Sequence, residues 1–265
     1  MQEADVVLFF DIDGTIWDYK NDIPDSTIEG IRRARAKGHK CFLNSGRARA
    51  FINNEKLLGI GFDGIVSACG TRIEHEGKVI YSKLVEKGDA VRTVETVRKY
   101  GFKPILEGHT YLYMEQEDFL GDMFAEKVIR EMGDKLRGID ECWGEWEMHK
   151  LSCATEVPEE DRLKCFDELS DIYDLMIHDT RVVEMVPKGF NKGTGIEKVC
   201  ELLGEDVKNT FAFGDSINDK EMLLTAGVGV AMGNSRGNTR DFADYVTDDL
   251  YNDGIFKALN HFGLI

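Results

Sequence analysis

The stretch Val6-Val7-Leu8-Phe9-Phe10-Asp11-Ile12-Asp13-Gly14-Thr15 places two carboxylates directly after a continuous apolar run. A run of this kind is typical of a strand that is buried on both faces of a parallel sheet. Ligands of such sheets bind at the carboxyl ends of the strands, which is where Asp11 and Asp13 fall. Carboxylates there are costly without a cation or a proton, and Mg²⁺ prefers oxygen ligands. The alternative is an Asp-rich turn that ends the strand.

Both ends of the chain alternate strand and helix. Alternation of this kind predicts a parallel α/β sheet. The fold class expected from the sequence is therefore α/β, with a Rossmann-like parallel sheet as its core. The apolar runs predict strands at 6–10, 40–43, 64–68, 210–213, 227–232 and 245–247, and the periodicity predicts helices at 26–37, 46–58 and 220–225.

The middle of the chain follows a different pattern, in which helices and short strands do not alternate regularly. Helices are predicted at 89–100, 119–132 and 159–169, with strands near 105 and at 111–114, 148–155 and 175–186. Insertions of whole units are tolerated at surface loops whose ends lie close together. We therefore expect a core made of 1–83 and 187–265, with 84–186 as an inserted α+β domain.

Composition excludes several classes of function. The net charge of −16 disfavours nucleic acid and anionic membranes as partners, because both bind through Lys and Arg. No apolar run is long enough to span a bilayer, and the first residues lack the positive flank of a signal peptide. The six cysteines show no zinc-ligand spacing and fit a reducing compartment. We expect a cytoplasmic protein whose partner is a small molecule.

Two further polar segments predict phosphate binding. Asn44-Ser45-Gly46-Arg47 follows the second strand and is expected to open a helix, whose free N–H groups favour anions. Ser45 adds a hydroxyl donor, although it also fits a plain helix cap. Lys192 precedes another predicted helix and could balance the charge of a phosphate and an aspartate together. The alternative is a surface lysine, and Lys188 is a competing candidate.

A last segment, Gly214-Asp215-Ser216-Ile217-Asn218-Asp219, again puts carboxylates at the end of a predicted buried strand. Asp215 could complete a metal site, and Asn218 could donate to a phosphate oxygen. The alternative is an Asp/Asn turn. Two separate carboxylate clusters at strand ends make that alternative weaker.

Taken in order, these four segments resemble the four motifs of the haloacid dehalogenase-like hydrolase superfamily. The residues in the first and last parts of the chain are similar to those of the Cof-type phosphatases of subclass IIB. The insert resembles their C2-type cap in length and element order. Cys69-Gly70-Thr71 departs from the Asn-Gly-Ala that is usual there, and Asn234-Ser235 departs from Asn-Ala. The matched residues are Asp11 to Thr15 for the first motif, Ser45 for the second, Lys192 for the third, and Asp215, Asn218 and Asp219 for the fourth.

This resemblance implies a phosphatase that depends on Mg²⁺ and works through a phosphoryl-aspartate. Asp11 would be the nucleophile, and Asp13 the general acid and then the general base. The carboxylates of Asp11 and Asp215 and the backbone carbonyl of Asp13 would hold the metal. Asp219 would orient Lys192 or the waters of the metal. The phosphoryl group would be held by Ile12, Ser45, Gly46, Lys192 and Asn218.

The implied substrate is a small phosphorylated metabolite, either a sugar phosphate or a phosphorylated cofactor, and the cap would select it. One alternative is a phosphomutase of the phosphomannomutase type, although such a cap normally offers several arginines, and the few arginines of the insert here lie in a strongly acidic segment. Another is a protein of the same fold that binds a phosphometabolite without catalysis. The sequence predicts no oligomeric state.

Overall fold

The apolar run at the start of the chain forms a strand near the centre of a sheet. The computed structural model describes residues 5–154, 157–177 and 182–265. The described strands are β1 (Val7–Phe10), β2 (Lys40–Asn44), β3 (Gly64–Ser67), β4 (Arg72–His75), β5 (Lys78–Ser82), β6 (Pro104–Glu107), β7 (Leu112–Tyr113), β8 (Leu136–Arg137), β9 (Lys150–Ala154), β10 (Tyr173–Ile177), β11 (Val182–Pro187), β12 (Thr210–Gly214), β13 (Val228–Ala231) and β14 (Tyr245–Val246). The described α-helices are α1 (Asp25–Ala36), α2 (Glu55–Leu58), α3 (Lys87–Lys99), α4 (Met123–Met132), α5 (Glu159–Glu168), α6 (Lys192–Leu203), α7 (Lys220–Thr225) and α8 (Gly254–His261).

Eight of the described strands form the first sheet, in the order β14-β13-β12-β1-β2-β3-β4-β5. From β14 to β3 all pairings are parallel, and all four residues of β1 are buried. The apolar run is therefore a strand covered on both faces, and the predicted α/β fold class is confirmed. Because β1 lies between β2 and β12, the loops that follow these three strands start next to one another.

The last two strands of this sheet, β4 and β5, form an antiparallel hairpin that was not predicted. Its turn is Glu76-Gly77, and both residues have positive φ, 49° and 73°. Two positive φ values are what a tight two-residue hairpin turn requires.

A second sheet has the order β10-β11-β9-β6-β7-β8 and is antiparallel except between β7 and β8. Successive residues of a strand point to opposite faces, so Leu106 and Ile105 lie in different apolar clusters. Leu106 packs with residues of α3 and α5, including Val94 and Phe166. Ile105 packs with residues of α4, including Val128.

The chain divides into two compact units, one around each sheet. The first comprises Met1–Gly46, Asn53–Ser82 and Asn191–Ile265, and the second comprises Arg47–Ile52 and Lys83–Phe190. This division differs from the expected boundaries, which placed 47–52, Lys83 and 187–190 with the core.

Ala50 explains why 47–52 groups with the second unit. Its N–H donates to the carbonyl of Gly108 at 3.4 Å, and its side chain joins the apolar cluster of Ile105 and Leu112. The predicted helix at 46–58 is wrong for the same reason. Arg49–Phe51 forms one 3₁₀ turn, and α2 starts only at Glu55, where the Asn54 side chain accepts from Leu57 N–H at 3.0 Å.

The other predicted elements are present, mostly with ends shifted by one to three residues. The predicted helix at 119–132 starts later, at Met123, after a separate 3₁₀ turn at Gln116–Phe119. Residue 155 of the predicted strand 148–155, and residues 178–181 of the predicted pair at 175–186, lie outside the described residues. Among the described helices, none has both the length and the apolar character required to cross a membrane.

Candidate active site

Three carboxylates meet where β1 and β12 end. Asp11 follows β1 directly, and its N–H donates to the Phe213 carbonyl of β12 at 2.9 Å, so the ladder continues one residue into the loop. Asp215 follows β12 in the same way, and Asp219 lies four residues further on. One oxygen from each of the three carboxylates lies within 4.8 Å of the other two. All three residues are at least 97% buried.

Lys192 is the cation inside this cluster. Its Nζ donates to Asp11 Oδ1 at 2.7 Å and to Asp219 Oδ1 at 2.6 Å, with the lysine side chain only 1% exposed. Burial alone would lower the pKa of Lys192, but the two carboxylates outweigh it and raise the pKa above its ordinary value. The lysine is therefore charged at neutral pH. It is the first residue of α6, which Asn191 caps in a reciprocal pair with Thr194.

Asp219 uses both carboxylate oxygens within the protein. Oδ1 accepts from Lys192, and Oδ2 accepts from the backbone N–H groups of Asp215 at 2.9 Å and Ser216 at 3.0 Å. Asn218, in the same loop, accepts from the Ser216 hydroxyl through Oδ1 at 2.6 Å. Asp219 therefore holds the loop that carries Asp215 and contacts the ammonium end of the lysine.

Asp215 is different, because it keeps a free ligand atom. Its Oδ1 is buried and has no hydrogen-bond partner among the described residues. Burial, followed by the charge of Asp219, raises the pKa of Asp215 to about 7. Burial and Asp219 also hold the pKa of Asp11 well above its ordinary value, despite the opposing effect of Lys192.

These observations fit a hard divalent cation. Among the described residues, three buried carboxylates face one ammonium group, so the cluster has an excess of negative charge. Within the same residues, Asp215 Oδ1 lacks the partner that a buried polar atom needs. Carboxylate oxygens are the ligands that Mg²⁺ prefers. Asp11 and Asp215 are the residues that could hold it, while the oxygens of Asp219 are already engaged.

Asp13 lies beside the cluster and is exposed to solvent. Its Oδ1 accepts from the indole Nε1 of Trp17 at 2.9 Å, and the Gly14 N–H donates to the Trp17 carbonyl at 2.8 Å. The loop after β1 thus folds back on itself and holds Asp13 by an indole. The Asn234 side chain donates to the Gly14 carbonyl at 2.7 Å and braces the same loop.

Trp17 and Asn234 were not predicted as site residues. Asn234 follows the fifth parallel strand, in a segment that departs from the family pattern only in the serine after it. Trp17 comes four residues after Asp13, and this spacing alone is only weak evidence that the two side chains make contact. Only the fold shows that both residues support the loop of Asp11 and Asp13.

Ser45 follows β2 and is buried. Its N–H donates to the Val66 carbonyl at 2.9 Å, and its own carbonyl accepts from Cys69 N–H at 3.1 Å. Phe10 of β1 pairs with Leu43 of β2, so the loops that begin with Asp11 and with Asn44 and Ser45 lie side by side. Gly46 does not open a helix, so the predicted helix N-terminus is absent, and Ser45 offers its hydroxyl from a loop instead.

The loop that supports Ser45 has an unusual backbone. Ala68, Cys69 and Gly70 have positive φ values of 48°, 55° and 91° in succession. Two adjacent non-glycine residues in this region store strain, and such strain concentrates at functional sites. Gly70 also packs tightly, since a Cβ there would lie 2.9 Å from the Asn191 carbonyl, next to Lys192.

Comparison with known proteins gives the family. The model of the haloacid dehalogenase-like hydrolases matches residues 8–259. YkrA of Bacillus subtilis (strain 168) is 30% identical over 277 aligned residues that cover 98% of both chains. The 5-amino-6-(5-phospho-D-ribitylamino)uracil phosphatase YcsE of the same organism is 27% identical, over 99% of this chain and 98% of its own.

Solved structures agree with the sequence comparisons. The subclass IIB sugar phosphatase BT4131 has a TM-score of 0.82 at 28% identity, covering 98% of this chain and 100% of that one. The phosphatase BT1666 from Bacteroides thetaiotaomicron has a TM-score of 0.83 at 26% identity, covering 98% and 96%. With its four motif segments in order and matches over nearly its whole length, the chain belongs to the haloacid dehalogenase-like hydrolases and is a phosphatase that acts on small phosphorylated substrates.

Proposed function

We propose that the chain is a Mg²⁺-dependent phosphatase. In this proposal the substrate's phosphoryl group is transferred to Asp11, and water then hydrolyses the phosphoryl-aspartate. The observation that carries this proposal is the arrangement of Asp11, Lys192 and Asp215. A buried carboxylate contacts a fixed ammonium group, and a second carboxylate beside it has an oxygen with no hydrogen-bond partner in the described part of the chain. A nucleophile, a counter-charge for phosphate and a cation ligand are then present together.

In the first step, an oxygen of Asp11 attacks phosphorus, and the bond from phosphorus to the ester oxygen breaks. Asp13 gives a proton to the departing alcohol oxygen. Its contact with the Trp17 indole orients the carboxyl group, and its exposure allows proton exchange with water. In the second step, Asp13 takes a proton from water as that water attacks phosphorus. The bond to Asp11 breaks, and inorganic phosphate is released.

Negative charge on the phosphoryl oxygens must be stabilised throughout both steps. Lys192 supplies a fixed positive charge, and Ser45 supplies a hydroxyl donor from the loop beside Asp11. Asn218 and the backbone N–H groups of Ile12 and Gly46 complete the proposed phosphate site. Mg²⁺ held by Asp11, Asp215 and the Asp13 carbonyl would add charge stabilisation and favour the ionised carboxylates.

The second unit is proposed to act as the cap that selects the substrate. Its antiparallel sheet with helices is an independent compact unit, and the structural relatives of similar length include a sugar phosphatase. Together with the relatives that act on a phosphoribitylamino compound, this favours a phosphorylated sugar or sugar-like metabolite. Alanine substitutions at exposed polar residues of this unit should change the preferred ester but leave hydrolysis of a small aryl phosphate intact.

The decisive experiment is a search for the covalent intermediate. Purified protein is mixed with an aryl phosphate and Mg²⁺, quenched in acid, and digested for mass spectrometry. We expect one phosphoryl group on the peptide that contains Asp11, no turnover for Asp11→Asn, and full turnover for the matched exposed control Asp241→Asn. Activity should vanish in excess chelator and return with Mg²⁺. Turnover by Asp11→Asn within about tenfold of wild type, or about 1.4 kcal/mol in barrier, would refute the covalent role.

The same assay separates hydrolysis from phosphoryl transfer within a substrate. A phosphomutase would convert a hexose phosphate into its isomer and release little free phosphate. A phosphatase releases one phosphate for each ester consumed. The names of the relatives favour the second outcome.

A further inference from the structure

Asn44 is a fully buried polar residue that the proposed mechanism does not use. It is the last residue of β2, and its side chain is 0% exposed. Its amide Nδ2 donates to the carbonyl of Lys192 at 2.9 Å and contacts Met222 Sδ at 3.6 Å. Its Oδ1 is buried without a hydrogen-bond partner among the described residues. A half-satisfied buried amide is unfavourable for the fold, so its presence needs another reason.

Helix α6 does not need Asn44 to satisfy the Lys192 carbonyl. Within an α-helix, the carbonyl of the first residue accepts the N–H four residues later, which here belongs to Ile196. The bond from Asn44 is therefore an additional one. What it adds is a link from the end of β2 to the backbone of Lys192.

The start of α6 is held on its other sides by close packing of glycines. A Cβ on Gly193 would lie 2.6 Å from the Thr225 hydroxyl, and one on Gly195 would lie 2.8 Å from a Val66 methyl group. Close packing limits how near the helix comes to its neighbours, and a directional hydrogen bond further restricts its rotation and its position along the axis. Asn44 provides the directional contact at the residue whose ammonium group contacts Asp11.

From these contacts we infer that Asn44 is a positioning residue for Lys192. The inference rests on the proposed role of Lys192 in binding the phosphoryl group. Asn44 aligns the backbone of the lysine so that Nζ stands where charge develops during phosphoryl transfer. Without Asn44, Lys192 keeps its charge and its bond to Asp219, so it still attracts the substrate. What is lost is the alignment of the lysine backbone relative to β2.

The test compares three replacements that all remove the amide donor. Asn44→Leu keeps the volume and removes the orphaned oxygen, Asn44→Asp keeps the shape, and Asn44→Ala leaves a cavity. We expect kcat to fall about tenfold, which is the effect expected for the loss of one hydrogen bond. KM should change less than about threefold. In Asn44→Leu, kcat should fall even where the melting temperature is equal to or higher than that of the wild type.

Thr210→Ala is the matched control. Thr210 is equally buried, at the other end of β12 from Asp215, and its hydroxyl donates to the Val207 carbonyl at 2.6 Å. This variant should lose stability and keep kcat. The inference is overturned if the folded Asn44→Leu and Asn44→Asp variants, assayed well below their melting temperatures, keep kcat within about twofold of wild type. It is equally overturned if the loss of kcat is proportional to the loss of stability, with the same proportion for the three Asn44 variants and Thr210→Ala.

Lys192→Met distinguishes failure of this inference from failure of the proposed function. An inactive Lys192→Met with active Asn44 variants removes only the role of Asn44. An active Lys192→Met removes the role of Lys192 itself, and that of Asn44 with it. Loss of activity in Lys192→Met, together with the split between kcat and KM in the Asn44 series, supports both.

Discussion

Gly14 lies so close to Asp215 that no side chain fits between them. A Cβ on Gly14 would stand 2.8 Å from Asp215 Oδ1 and closer still to Oδ2, and the φ of Gly14 is +83°. The glycine therefore allows both the left-handed turn after β1 and the approach of a carboxylate from β12. The two loops of the proposed metal site fit together through this contact.

Gly14→Ala should consequently damage the metal site. The new methyl group must push the Asp215 carboxylate away, so we expect the Mg²⁺ concentration for half-maximal activity to rise at least about tenfold. Gly77→Ala is the control, since Gly77 has a φ of +73° but no described atom within 4 Å of its added Cβ. Both variants carry backbone strain of about 1–2 kcal/mol. An unchanged Mg²⁺ titration in Gly14→Ala would contradict the site.

Asp215 and Asp219 should respond differently to amide replacement. Asp215→Asn removes an unpartnered charged oxygen, so the requirement for Mg²⁺ should rise. Asp219→Asn keeps one oxygen that can accept from the backbone N–H groups of Asp215 and Ser216, but its amide nitrogen replaces the oxygen that faces Lys192. We therefore expect kcat to fall with the Mg²⁺ requirement nearly unchanged. Mg²⁺ titrations of activity for both variants check this. The distinction fails if Asp219→Asn shifts the titration as far as Asp215→Asn does.

The ion pair of Arg35 and Asp63 should contribute to stability in a pH-dependent way. Arg35 binds both oxygens of Asp63, at 2.7 and 3.0 Å, and Cys41 N–H donates to the same carboxylate at 2.8 Å. Burial would raise the pKa of Asp63, but these hydrogen bonds outweigh it and hold the pKa below its ordinary value. With partial exposure, we expect Asp63→Asn to lower the free energy of unfolding by about 1–2 kcal/mol at pH 7.

The sign of the pH dependence follows from the lowered pKa. The contribution is fully present above the pKa of an unfolded Asp, about 3.9, and is lost as the pH falls through the lower folded value. Denaturant unfolding should therefore show a constant difference from pH 8 to about pH 5 that shrinks below about pH 4. Glu29→Gln, which breaks an exposed pair with Arg33 on the same helix, should change stability by less than about 0.5 kcal/mol. A difference that persists unchanged at acid pH would contradict this assignment.

Lys150 holds together a buried cluster in the second unit. Its Nζ lies 2.8 Å from Glu184 Oε2 and 3.4 Å from Glu107 Oε1, and its side chain is 1% exposed. Lys150→Met removes the cation beside the buried Glu107 and the half-buried Glu184, which should cost about 3–5 kcal/mol at pH 7. The exposed control Lys164→Met, which loses a pair with Glu160, should cost less than about 0.5 kcal/mol.

This loss should become smaller as the pH falls. Burial already raises the pKa of Glu107 despite the opposing charge of Lys150, and removing the lysine raises it further. The folded variant then binds protons that the unfolded chain has released, so acidification favours its fold. Thermal unfolding at pH 7 and pH 5 measures the effect. A gap to wild type that widens at pH 5 would show that the carboxylates are not the source of the penalty.

The sequence predicted strands best where a continuous apolar run corresponds to a strand that is buried in the fold. Val7–Phe10 and Thr210–Gly214 are apolar runs followed by Asp, and the fold places both in the middle of the parallel sheet. Their pairing brings Asp11 and Asp215 together, as expected for the ends of neighbouring parallel strands. The contact between Lys192 and Asp219 depends on tertiary packing of α6, so the sequence predicted the residues but not the distance.

Predictions failed where tertiary contacts override local preference. The segment 46–58 has helical spacing of apolar residues, but Ala50 bonds to Gly108 and Asn54 starts a new helix instead. The hairpin of β4 and β5 did carry a signal, since Glu76-Gly77 lies between short runs with strand character. Nothing in the sequence indicated the contact of Asn44 with Lys192, because an Asn at the end of a strand has no preferred partner until the neighbouring helix is in place.

The pairing of β1 with β12 has a consequence for how the protein is made. Val7 pairs with Thr210, so the whole second unit is synthesised between the two partners. Until β12 leaves the ribosome, β1 has one unpaired edge made of buried apolar residues, and such edges promote association with other chains. Closing a pair so distant in sequence is also intrinsically slow. The newly made chain therefore passes through a stage in which the strand that leads to Asp11 is open to association with other chains.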